Sequence, residues 1–144
     1  MMEQKTFDTI YTTLNQTVDV MQGRIKKEIT PFGLNYNEYE ILKYIYHNGD
    51  QPIQKIGEEI RVTSGSMTYL IDKLEKNSHI VRKPCTSDGR VMYASLTTEG
   101  KELMDKVMPK CSYTINHVIE DFEEEDINRT IQILDQIKTM LSVE

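Results

Sequence analysis

Two groups of side chains in this sequence have the types and spacing to act on an anionic partner. The first lies in SGSMTYLIDKLEKN, residues 64–77. At helical spacing Met67, Leu70, Ile71 and Leu74 fall on one face, and Ser64, Ser66, Thr68, Tyr69, Asp72, Lys73 and Lys76 fall on the other. Short hydroxyls near a helix N-terminus let the backbone come close to phosphates and base edges, and Gly65 keeps that approach open. The plain alternative is an amphipathic helix with a small polar face. The second group is Arg82-Lys83-Pro84-Cys85, followed by Asp88-Gly89-Arg90. An arginine on a protruding turn can enter a narrow minor groove, where the negative potential is strong, and Asp88 can hold its guanidinium. Here the alternative is a solvated turn with an incidental arginine. Cys85 sits beside Arg82 and Lys83, two cations expected to lower its pKa and favour thiolate. Its alternative is a strand residue that fills space.

The elements that must carry these residues follow from periodicity. Ile53, Ile56 and Ile60 give a short helix, Arg61-Val62 a break, and Thr63 or Ser64 a cap for the helix that follows. Residues 80–85 and 91–96 have extended propensity and flank an Asp-Gly turn, whose glycine is expected to supply a positive φ. A short helix, a tight turn, a longer helix and a basic hairpin make a winged helix-turn-helix, which places one helix in the major groove of DNA and a loop beside it. Lys73, Lys76, Arg82 and Lys83 are the expected phosphate contacts. Ser66, Thr68 and Tyr69 are the expected base-edge contacts.

These motifs resemble the MarR family of bacterial transcription regulators. The resemblance is carried by SGSMTYLIDKLEKN, the R-x-P of Arg82 to Pro84, Asp88-x-Arg90, and LTTEGKEL from Leu96 to Leu103. It extends over nearly the whole chain. It implies a fold that is mainly α with a small β-hairpin wing, with six or so helices in a homodimeric repressor. It further implies that the helix from about Ser64 to Asn77 reads the major groove and that Arg90 reaches the minor groove. The sequence departs from the family pattern at three places. Gly89 stands where the first of two wing arginines is usual. Ser78 stands where a glycine usually follows the recognition helix, although Asn77 could take the left-handed cap role. His79 stands where a leucine is usual. RKPC-x-x-D-x-R, with QPIQKIG and SGSMTYLIDKLE, is most similar to the branch that represses quinone and hydroquinone detoxification genes.

The flanks read as a dimer platform. Phe7, Ile10, Leu14, Val18, Met21, Ile25 and Ile29 predict a long amphipathic helix over about 4–30, ended by Pro31-Phe32-Gly33. Asn35 and Glu38 fit a capping box for a second helix, stopped at Asn48-Gly49. After the wing, Thr97 and Thr98 can cap a long helix, kinked at Pro109. Glu123 to Asp126 suit the start of a last helix, striped by Ile127, Ile131, Leu134, Ile137 and Leu141. The two ends hold more apolar residues than one winged helix needs to cover, so a two-fold helical interface is expected. The organisation expected is one domain over 1–144. Residues 1–33 and 97–144 form its dimerisation helices, and 34–96 the DNA-binding lobe.

Charge agrees with this division. The net charge is −6, yet residues 61–90 carry +3 against −3 for residues 1–60 and −6 for residues 91–144. No apolar run is long enough for a membrane span and no leader pattern is present, so the expected location is cytoplasmic. The two cysteines suggest no disulfide framework, and His47, His79 and His117 lack zinc spacing. Cys85 with His79 has no orienting third group, which argues against an enzyme. No cofactor is expected.

In the resembled family, effectors act in the crevice between dimer helices and reading lobe. Tyr11, Phe32, Tyr36, Tyr39, Tyr44, Tyr46 and Tyr113 supply aromatics for a phenolic or quinone-like effector there, or are core and interface residues. The expected function is a repressor that binds a pseudo-palindromic operator and is released by such an effector. A redox repressor switching through Cys85 is the alternative, with Cys111 a buried hydrophobe. A helical dimerisation adaptor without DNA binding is the remote rival.

Overall fold

A computed structural model describes residues 3–143, so residues 1, 2 and 144 of the expected terminal segments lie outside the described residues. Contacts divide the chain into two compact units, Met1–Cys111 and Ser112–Glu144. The described residues form six α-helices and one small sheet: α1 Gln4–Ile29, α2 Tyr36–Asn48, β1 Gln51–Pro52, α3 Ile53–Ile60, α4 Ser64–Lys76, β2 Ile80–Pro84, β3 Met92–Leu96, α5 Thr98–Ile119 and α6 Glu124–Leu141. This is the mainly helical, winged helix-turn-helix architecture that the periodicities predict. One strand was not anticipated, because a two-residue β1 leaves no alternation to read. It joins the hairpin as a third antiparallel strand in the order β1-β3-β2, with Gln51 opposite Ala94.

The first unit contains the buried core. From α2 come Tyr39, Ile41, Leu42 and Ile45, from α4 the predicted quartet Met67, Leu70, Ile71 and Leu74, and from α5 Met104, Val107 and Cys111. Local signals act where expected. Gly33 takes φ +76 after a 3-10 turn at Thr30–Phe32, and the Asn35–Glu38 capping box is formed in both directions. Between the helices of the helix-turn-helix, Arg61 adopts the left-handed conformation at φ +60, and Thr63, not Ser64, caps α4 by accepting from the Ser66 N–H.

Two turn expectations are corrected. The left-handed residue after α4 is Ser78, at φ +64, while Asn77 keeps φ −84. Ser78 thus takes the left-handed conformation without being glycine. Gly89 is not in the positive-φ region. The turn closes through Val91 N–H to the Asp88 carbonyl, and the Asp88 carboxylate accepts from the Arg90 N–H. An aspartate at the first position of a turn stabilises it in this way without a left-handed residue.

In α5 the helix continues through Pro109, whose missing N–H removes one hydrogen bond of the ladder. The second unit holds the end of α5 and all of α6, which opens with Glu124, Glu125 and Asp126 in its first turn, as the macrodipole favours. No described helix is long and apolar enough to cross a membrane.

Candidate nucleic-acid interface

The N-terminal turns of α4 present an open polar surface. Ser64, Gly65, Ser66, Thr68 and Tyr69 are all exposed, Tyr69 by 67%. Thr63 Oγ1 donates to Ser66 Oγ at 3.1 Å, and Thr68 Oγ1 donates to the Ser64 carbonyl at 3.1 Å. The Thr68 proton is therefore turned to the backbone, leaving its lone pairs to accept. A Cβ built on Gly65 meets nothing within 4 Å, so no contact inside this chain requires glycine there.

The wing tip is the second part. Arg90 is 92% exposed, yet its direction is set by Asp88: Nε lies 3.1 Å from Oδ1, and the backbone N–H 3.0 Å from the same oxygen. The Arg90 side chain, with its backbone N–H, holds the Asp88 carboxyl below the usual carboxylate range. The guanidinium is thus oriented without being covered.

The remaining expected cations fall into different situations. Lys73 Nζ reaches Glu38 Oε1 at 2.9 Å, which raises the lysine pKa. Glu38 is fully buried, and its second oxygen has no hydrogen-bond partner. Arg82 bridges two carboxylates of α4, with one guanidinium nitrogen 2.7 Å from Glu75 Oε1 and the other on Asp72 Oδ1. Its backbone N–H also donates to Glu75 Oε2 at 3.1 Å. Lys83 lies 3.7 Å from Asp50, which accepts from the Ser95 hydroxyl. Lys76 is exposed with no ion-pair partner among the described residues. Sequence reasoning grouped Lys73 and Arg82 with the phosphate contacts, but the fold engages both with its own acids. The signal that could have found the Arg82 pairing was the i, i+3 spacing of Asp72 and Glu75, which puts two acids on one helix edge. Nothing local announces Glu38 as the partner of a residue so far along the chain.

Cys85 is half-buried at the base of the wing, with Sγ 3.2 Å from Ser87 Oγ. Its pKa is lowered, as expected, but the cause is different. The Ser87 hydroxyl acts first, followed by the backbone at Ser87 and Asp88. Cys111 is buried, and burial pushes its thiol up.

The aromatic candidates do not form one group. At the start of α2 the Tyr36 and Tyr39 ring centroids lie 6.3 Å apart, and Phe32, in the 3-10 turn before it, packs against the core with Lys110 of α5 5.1 Å from its ring. Burial first, then Glu40, pushes Tyr36 up to about 12. Tyr39 is buried, donates to Met108 Sδ at 3.9 Å, and is shifted upward by burial and by Cys111. Tyr44 is half-buried against the core. Tyr46, at the far end of α2, donates to Asp105 Oδ1 at 2.7 Å. Tyr11 is exposed and stacked on Phe7, roughly 27 Å along the α1 axis from Ile29 at 1.5 Å rise per residue. Tyr113, in the second unit, is exposed and stacked on His117.

Comparison with known proteins places this geometry. Residues 34–92, which span α2 to the start of β3, match the MarR family. The chain is similar to the HTH-type transcriptional regulator MhqR of Bacillus subtilis (strain 168), 33% identical over 128 residues that make up 89% of this chain and 88% of MhqR. Among solved structures it superposes on AbsC, a MarR family transcriptional regulator from Streptomyces coelicolor. The TM-score is 0.85 at 24% identity, covering 98% of this chain and 97% of AbsC. It also superposes on NadR in complex with 4-hydroxyphenylacetate, with a TM-score of 0.80 at 18% identity and 94% of each chain covered.

Proposed function

The chain belongs to the MarR family of DNA-binding transcription regulators, and from that premise we propose a homodimeric repressor that reads a pseudo-palindromic operator and is released by a small aromatic effector. The reading is carried by the exposed polar start of α4 together with a wing arginine that Asp88 orients but leaves 92% exposed. In each half-site Ser64, Ser66, Thr68 and Tyr69 face base edges and adjacent phosphates in the major groove. Arg90 enters the neighbouring minor groove, and Lys76 and Lys83 contact phosphates. Two such heads about 34–36 Å apart match one turn of B-DNA. Arg90→Ala is expected to lower operator affinity about ten- to a hundred-fold in a gel-shift titration. Unchanged affinity removes Arg90 from the interface.

Dimerisation is supported by the apolar residues left exposed on the single chain. Phe7, Ile10, Leu14 and Val18 lie along α1, and Ile131, Leu134, Ile137 and Leu141 along α6. For the effector, the supporting observation is the Tyr36–Tyr39 pair at the start of α2, with the fold likeness to NadR, whose structure holds a phenolic acid. A planar phenol or quinone suits such aromatic walls. Selecting genomic fragments with the purified protein, with and without phenols and quinones, tests operator symmetry and effector class together. A second reading, release through modification of Cys85, is favoured by the Ser87 contact that lowers its pKa. If Cys85→Ser still leaves the operator on quinone exposure, the thiol reading fails and the pocket reading stands.

A further inference from the structure

Arg82 has the residue type and the location of a phosphate contact, but its surroundings are those of a structural bridge. Its side chain is 26% exposed, and both terminal guanidinium nitrogens are taken, one by Glu75 and one by Asp72. The main chain adds a third bond, from the Arg82 N–H to the other oxygen of Glu75. Asp72 and Glu75 belong to the recognition helix α4, and Arg82 is the middle residue of β2, opposite Ala94 of β3. A planar guanidinium fork spanning two carboxylates one helical turn apart fixes an angle as well as a distance, which a lysine ammonium cannot do. A few residues further along the hairpin lies Arg90. The antiparallel ladder transmits any tilt at Arg82 to that tip.

We propose that Arg82 is a positioning residue for DNA recognition: by bridging Asp72 and Glu75 it locks the wing to the recognition helix, so that Arg90 meets the minor groove when α4 occupies the major groove. This rests on the DNA reading of α4 and Arg90 given above. Arg82 itself makes no contact with the phosphate backbone.

The test measures operator and scrambled-duplex affinity of the full chain by fluorescence anisotropy across a salt series. The variants are Arg82→Ala, Arg82→Lys and the pair Asp72→Asn/Glu75→Gln, each with and without Arg90→Ala. The expected result is a loss of about tenfold in operator-over-scrambled preference for Arg82→Ala. Lysine should not rescue it, the salt slope should stay unchanged, and no further loss should appear once Arg90 is already alanine. The Asp72→Asn/Glu75→Gln pair removes two negative charges next to DNA and frees the arginine, yet should also lose operator preference. A phosphate contact predicts the reverse: the pair binds every duplex more tightly, Arg82→Ala reduces the salt slope by about one per protomer, and its effect adds to that of Arg90→Ala. That result overturns the proposal alone. If Arg90→Ala changes nothing, the wing reading itself falls and the proposal falls with it. Should Arg82→Ala fail to fold, the isosteric Asp72→Asn/Glu75→Gln pair carries the same comparison.

Discussion

Lys73, Lys76, Arg82, Lys83 and Arg90 are chemically alike, but their partners separate them. A cation held by a fully buried carboxylate, as Lys73 is by Glu38, has its counter-ion already. Arg90 also has a counter-ion, but one beside it on an open turn, so its guanidinium can be shared with an incoming phosphate or base edge. The same distinction applies to the two thiols. Cys85 is lowered by the Ser87 hydroxyl and neighbouring backbone, and Cys111 is raised by burial. A lowered pKa enlarges the thiolate fraction at any pH below the ordinary thiol value, and thiolate is the form that alkylates. Iodoacetamide labelling of the native protein, followed by mass spectrometry, is therefore expected to reach half its maximal rate at Cys85 at a pH below that of a free cysteine. Cys111 should stay unlabelled until the chain unfolds. Equal labelling of the two would discard Cys85 as a distinctive thiol.

At the scale of elements, the reading unit is held by a few joints. Glu38 closes the α2 capping box through the Asn35 N–H and anchors α4 through Lys73, so one carboxylate serves two helices. The exit from α4 is fastened to the entry of α5. Thr97 Oγ1 donates to the Ser78 carbonyl and accepts from the Gly100 N–H, while the Thr97 N–H bonds the His79 carbonyl. Gly100 has no room for a side chain: a Cβ would lie 2.0 Å from the His79 carbonyl oxygen. Gly100→Ala is accordingly expected to destabilise the fold by roughly 1–3 kcal/mol, the range for a forced backbone shift in a packed site, read as a lower urea midpoint. An unchanged midpoint would mean that the strand entry moves freely. Such joints explain what was legible in the sequence. Helix faces, N-terminal caps and the place of the hairpin depend on neighbours within a few residues, and they were readable; the left-handed residue after α4 and the conformation of Gly89 were not. The Glu38–Lys73 pair and the two-residue β1 depend on contacts between distant segments that no local pattern encodes. The split of the aromatics has the same origin, since shared residue type placed Tyr11 and Tyr46 with Tyr39 while the helix axes place them apart.

For the whole molecule, the exposed stripes on α1 and α6 carry the dimer reading. In the single chain Ile131 is 61% exposed and Ile137 39%. Replacing both by glutamate is expected to turn a dimer into a folded monomer in sedimentation, with operator affinity reduced about a hundred-fold or more as the second head is lost. Sedimentation identical to that of the parent chain would place the interface elsewhere. A protein that displays this much apolar surface must also control where it associates, and the sheet bears on that. β2 is an edge strand, and its pairing with β3 turns the backbone groups of Val81, Lys83 and Cys85 toward β3 and those of Ile80, Arg82 and Pro84 toward the free edge. The outward N–H of Arg82 already belongs to Glu75, and Pro84 has none to offer. Edge strands with free donors recruit further strands and seed aggregation. Two positions that would offer a donor on this edge are therefore closed by the strand's own chemistry, which works against strand addition at the wing and favours association through the helices.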